Sequence, residues 1–163
     1  MQFRQYIRAW SAIWDLIIAI FARMLNQILI TFGQPVQIKS CHFSSYLRGY
    51  EGEGRVNVTT NHSTWEKWII TDEGAGTVSI SNAHFNNYMK GSPGDSQGVR
   101  VTGNNSSSEK WIIEHTGSGT FSIRNAQTNG GYLRARGSGY STGSCVDTTT
   151  TNNSAWERWN IFC

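Results

Sequence analysis

Two aromatic pairs are the residues best equipped for chemistry: Tyr50 with Trp65, and Tyr140 with Trp156. A phenol or indole ring offers a stiff apolar face and a polar edge. Such a face stacks on the C–H side of a sugar ring or settles at a lipid–water boundary. Asn61 and Asn153 stand just before the two tryptophans and could bond to polar ring substituents. These six residues are the expected ligand-binding groups. The plainer alternative is that the rings pack on the surface beneath loops.

Other reactive residue types form no site. There is no serine–histidine–aspartate arrangement, phosphate loop or dinucleotide fingerprint. His42 and His84 occupy matching places, with Gln127 in the third, so they fall in different structural units. Hydrogen bonding within turns is the expected role for them. Glu66, Glu109 and Glu157 recur at one repeated position, as structural groups do. Cys41, Cys145 and Cys163 have no metal-ligand spacing and read as small buried apolar groups. No catalytic residue, metal or cofactor is expected, and the chain does not read as an enzyme.

Three repeats position the aromatic pairs. The first unit reads VQIKSCHFSSYLRG, RVNV, WEKWIIT. The second reads VSISNAHFNNYMKG, GVRVT, SEKWIIE. The third reads FSIRNAQTNGGYLRA, a Gly/Ser-rich loop, then WERWNIF. Ile38, Ile80 and Ile123 correspond, as do Tyr46, Tyr88 and Tyr132, and Trp68, Trp111 and Trp159. The tyrosines and tryptophans of these two sets are expected in the core. Apolar and polar residues alternate within each unit, the two-residue period of half-buried strands. Gly74-Ala75-Gly76 and Gly117-Ser118-Gly119 read as hairpin turns. Three units close around a pseudo-threefold axis, each burying surface that one unit alone leaves exposed. The extra aromatics belong to units one and three only, because Ser108 stands where the others have Trp65 and Trp156.

The run of Ile, His, Tyr-Leu-Arg and then Glu-x-Trp-x-Ile resembles the β-trefoil units of fascin-like and ricin-B-like proteins. The resemblance spans residues 36–163. It implies a mainly β fold, a β-trefoil, and a binding module for glycans or, in fascins, for actin. The ricin-type Gln-x-Trp is here Glu-Lys-Trp or Glu-Arg-Trp. The expected boundaries are 1–34 for an N-terminal helix and 35–163 for the β domain, with repeats near 36–75, 76–119 and 120–163.

The segment ahead of the repeats is of another kind. Residues 1–32 contain neither glycine nor proline. At about 100° per residue, Phe3, Trp10, Trp14, Ile17, Phe21 and Ile28 share one apolar, lipid-facing side. Arg4, Arg8, Ser11, Asp15, Ala19, Ala22, Arg23 and Asn26 share the other. Gly33 and Pro35 are stop signals. At about 1.5 Å per residue such a helix is longer than a bilayer core of about 30 Å. A signal peptide, a lone anchor, an interfacial helix, a stave of an oligomeric pore, and a helix packed on the β domain all compete. Asp15 within the apolar stretch counts against the signal peptide and the lone anchor. A polar stripe running the whole length favours the interfacial helix and the pore stave. In the pore the stripe would line the lumen. The layout of helix then β domain is similar to that of actinoporin-type toxins.

Only 15% of residues are charged, against about 25% in an ordinary domain. Of 14 basic and 11 acidic residues, three arginines and one aspartate precede Val36, so the β part is nearly neutral. That balance lacks the basic patch that nucleic-acid binding needs. The expected function is membrane permeabilisation. The trefoil recognises a membrane surface through lipid or a cell-surface glycan, and the helix inserts as a homo-oligomer. The expected location is at a membrane, after secretion. The alternatives are a membrane-tethered lectin or adaptor without a pore, and a fascin-like actin-binding module.

Overall fold

A computed structural model of the chain describes residues 30–51, 54–91, 98–127, 129–137 and 145–163. The pore-lining and lipid-facing positions named above therefore lie outside the described residues.

Twelve strands fall into three four-strand units. The first holds β1 (Pro35–Ser40), β2 (Tyr46–Gly49), β3 (Val56–Thr59) and β4 (Lys67–Gly74). The second holds β5 (Thr77–Asn82), β6 (Tyr88–Lys90), β7 (Arg100–Thr102) and β8 (Lys110–Gly117). The third holds β9 (Thr120–Asn125), β10 (Tyr132–Ala135), β11 (Val146–Thr149) and β12 (Trp159–Phe162). All pairings are antiparallel. Strands β1, β4, β5, β8, β9 and β12 pair in turn into a closed six-stranded ring, which leaves the barrel without a free edge. The other six form three hairpins, β2–β3, β6–β7 and β10–β11. The hairpins meet at the pseudo-threefold axis. There the Val56 N–H donates to the Val99 carbonyl at 3.1 Å and the Val99 N–H to the Val146 carbonyl at 3.0 Å. This is the β-trefoil arrangement.

Each unit is locked by its repeated tryptophan. Trp68, Trp111 and Trp159 are fully buried. Their indole N–H groups donate to the carbonyls of Leu47, Met89 and Leu133 at 2.9, 2.8 and 2.9 Å. A buried indole must find an acceptor, and this one bonds its barrel strand to the hairpin above. Ile38, Ile70, Ile80 and Ile123 fill the space between. The repeated tyrosines are more peripheral: Tyr46 is buried, whereas Tyr88 and Tyr132 are half-buried. The Gly74–Gly76 and Gly117–Gly119 segments form two-residue hairpin turns, with positive φ at Ala75, Gly76, Ser118 and Gly119.

Part of the expected N-terminal helix falls within the described residues and is not helical. Residues 30–34 form a turn leading into β1. The Gly33 N–H donates to the Ile70 carbonyl at 2.9 Å, with φ +72° at Gly33, and Ile30 packs against the core. That backbone bond ties the turn to β4 of the barrel. The cysteines differ among themselves: Cys145 is buried, Cys41 half-buried and Cys163, beyond the last strand, exposed. Burial raises the Cys145 thiol above its ordinary pKa, and also that of Cys41, where Arg158 opposes the shift.

Candidate functional site

Trp65 and Trp156 each occupy the middle of a one-turn 3₁₀ helix, Thr64–Glu66 and Ala155–Glu157. The turns exist because of the repeated glutamates. Ser63 and Glu66 form a reciprocal cap: the Ser63 N–H and hydroxyl each donate to Glu66 Oε2 at 2.6 Å. Ser154 with Glu157 and Ser106 with Glu109 repeat it. All three carboxylates are buried. At Glu109 burial pushes the pKa up, but the bonds from Ser106 and Ser108 outweigh it and hold the carboxyl below its ordinary value. The expectation of structural glutamates agrees with these caps. The Ser-x-x-Glu signal for them stands in plain view at all three places.

The structure brings Tyr50 and Trp65 together, with ring centroids 5.7 Å apart. It also adds partners that the sequence reading missed. Trp65 stacks on His84 at 6.3 Å and meets the edge of Phe85 at 5.2 Å. Trp156 lies against His42 at 5.4 Å and Phe43 at 6.0 Å. Each tryptophan therefore works with the His-Phe pair of the next unit around the ring. Unit one's Trp65 faces unit two, and unit three's Trp156 faces unit one. At the second seam, between units two and three, Ser108 replaces the tryptophan and Gln127 the histidine. The histidine role differs from the expected turn bonding. His84 does join its turn, but through its backbone N–H to Asn82 Oδ1 at 3.0 Å, while its ring faces Trp65.

Asn82 organises the first seam. It is fully buried. Its Nδ2 donates to the Trp65 carbonyl at 2.8 Å, and its Oδ1 accepts the N–H groups of His84 and Phe85. Asn125 repeats this at the second seam, to the Ser108 carbonyl at 2.9 Å and from the Gln127 N–H at 3.2 Å. At the third seam the equivalent residue is Ser40, whose hydroxyl accepts the Phe43 N–H at 3.3 Å.

Arg48 completes the first cluster. Its guanidinium carbon lies 4.5 Å from the centroids of both Tyr50 and Trp65, and its Nε is 3.4 Å from Glu66 Oε1. Asn61 and Asn153 are exposed and outside the ring contacts. Asn61 bonds in its own turn, its backbone N–H donating to Thr59 Oγ1 at 3.2 Å. Tyr140 lies outside the described residues. Among the described residues no group of three or more His, Cys, Asp and Glu side chains is placed to hold a metal ion.

No protein-family model and no curated protein matches the chain. Solved structures do. A ricin B-like lectin of Macrolepiota procera in complex with lactose is 18% identical. The match spans 83% of this chain and 99% of the lectin, with a TM-score of 0.69. SeviL bound to asialo-GM1 saccharide is 14% identical over 78% of this chain and 95% of its own, at a TM-score of 0.62. A mosquitocidal holotoxin is 20% identical over 82% of this chain but 17% of the toxin, at 0.70. These neighbours share the closed barrel and three hairpins rather than the residues, and the likeness establishes the fold of the described chain as a β-trefoil.

Proposed function

We propose that this protein is a glycan-binding β-trefoil that reads sugars through the aromatic clusters at its seams. One observation carries the reading: Trp65 and Trp156 are held on capped one-turn helices beside a His-Phe pair from the adjacent unit, and the seam lacking the tryptophan lacks the pair as well. A core role would fill all three seams, as Trp68, Trp111 and Trp159 do. A lactose complex and an asialo-GM1 complex among the fold's neighbours give the reading its first probes. The test is binding to an array of immobilised glycans that includes both saccharides. Trp156→Ala and Trp65→Ala are compared with the parent chain, with far-UV circular dichroism as the check on folding. Binding by the parent and its loss in at least one folded variant is the expected result. A folded parent that binds nothing on the array overturns the proposal.

A second role rests on the two-sided pattern of residues 1–34. We infer that this segment takes the protein to a membrane and inserts as an oligomer, with Arg4, Arg8, Asp15 and Arg23 toward the lumen. Dye release from liposomes by the full chain is compared with release by a chain starting at Ile30, since Gly33 bonds to the barrel. Release by the full chain alone supports the pore. No release from neutral, anionic and glycolipid vesicles leaves a membrane-tethered lectin or adaptor. Co-sedimentation with filamentous actin tests the fascin-like alternative.

A further inference from the structure

The two aromatic clusters look equivalent in sequence, yet they are not equally open. Trp156 is 38% exposed, whereas Trp65 is half-buried with Arg48 across it. The two clusters differ at one position on the neighbouring hairpin strand. Arg48 on β2 is paired in register with Asn57 on β3, and Arg134 on β10 with Asp147 on β11. Asp147 takes Arg134 in a two-pronged grip, from Nε at 2.9 Å and from a terminal nitrogen at 2.8 Å. The fork of a guanidinium matches a carboxylate in this way. Asn57 offers no charge, and its Oδ1 already accepts the Cys145 N–H at 3.1 Å. Arg48 instead lies over the rings of both Tyr50 and Trp65, with Glu66 at its Nε. A guanidinium over an indole face is itself a favourable stack.

We propose that the protein has a single open sugar seat, formed by Trp156 with His42 and Phe43. At Trp65 the chain's own Arg48 fills the equivalent place, and the residue opposite the arginine decides between the two states. Asp147 draws its arginine off the indole, and Asn57 leaves its arginine on it. The ligand class is a saccharide presenting an apolar C–H face to Trp156. This rests on the glycan-binding reading above and specifies its stoichiometry and its gate.

The test has two arms on the full-length protein. In the first, titration calorimetry with lactose as the probe counts sites per chain. One site is expected in the parent. Trp156→Ala weakens it more than tenfold. Asn57→Asp raises the count from one to two, as does Arg48→Gln, which removes the gate without touching the Asn57–Cys145 bond. Two sites in the parent, or loss of binding in Trp65→Ala alone, overturns the proposal. The second arm needs no ligand. Oxidation by N-bromosuccinimide, mapped by peptide mass spectrometry, reads each tryptophan separately. Trp156 should react several-fold faster than Trp65, and Arg48→Gln should bring Trp65 up to match it. Absence of lactose binding with this reactivity difference intact overturns the sugar reading and leaves the gate. Equal reactivity in the parent overturns the gate.

Discussion

The seam at Trp65 and the seam at Trp156 are two solutions to one packing problem. At the first, Asn82 fills the space beneath the 3₁₀ turn, and the hairpin strand opposite carries Gly49. A Cβ added there would lie 3.0 Å from Asn82 Nδ2. The second seam is tighter still, since a Cβ on Gly91 would lie 2.5 Å from Asn125 Nδ2. At the third seam the buried amide is gone, and Ser40 stands in its place. The position equivalent to Gly49 and Gly91 is Ala135, which is fully buried. A larger residue on one side goes with a bare backbone on the other, and a smaller residue with a methyl group. The lesson is that the threefold symmetry conserves filled volume at each seam, not the residues that fill it. The Trp156 seam has also given up the amide that ties its tryptophan turn to the adjacent loop.

If that comparison holds, the largest difference is between Asn82→Ala and Ser40→Ala. The first strips partners from a part-buried carbonyl and two N–H groups and should cost about 3 kcal/mol. The second loses one bond and should cost about 1 kcal/mol. Urea unfolding followed by tryptophan fluorescence measures both, and equal losses would show that Asn82 is no hub. Next is Gly91→Ala, which forces a methyl group against an immobile amide and should cost about 2 kcal/mol. A neutral result would mean that the approach is slack. A smaller effect tests the compensation itself. Ser40→Asn should destabilise the third seam, and adding Ala135→Gly should recover it with a coupling of about 1 kcal/mol in a double-mutant cycle. Additive effects would separate the two positions. The smallest concerns the second seam, where the turn depends on its cap without a tryptophan. Glu109→Gln should cost about 0.5–1 kcal/mol at neutral pH. Because the Glu109 pKa is lowered from its ordinary 4.5, its charge contributes stability above that value. The contribution fades as pH falls below it. The gap between parent and variant should narrow in acid, and a gap that widens there would reverse the assignment.

Residues of the core were the easiest to read from the chain. Trp68, Trp111 and Trp159 appear three times in the same setting, and a group present in every unit serves what all units share. Trp65 and Trp156 stood out by the opposite sign, being present in two units and absent from the third. Their partners were harder to see. His42-Phe43 and His84-Phe85 are as visible as the tryptophans, but each sits 19 residues after Trp65 or, for Trp156, at the other end of the chain. Linking them requires the ring to be closed, with β1 paired to β12. Asn61 and Asn153 were placed by proximity in sequence, which in a turn of extended chain says little about where a side chain arrives.

By itself the amino-acid sequence determined the repeat, the strand period, the hairpin glycines and the buried indoles, because each depends on local pattern multiplied by three. Only the tertiary structure decided that a tryptophan of one unit meets a histidine of the next, and that Arg48 lies on its indole while Arg134 is held by Asp147. Those outcomes depend on which strands become neighbours and on a choice between competing partners a few ångströms apart. Such a choice is made by geometry across the closed barrel and its hairpins, and no linear spacing records it.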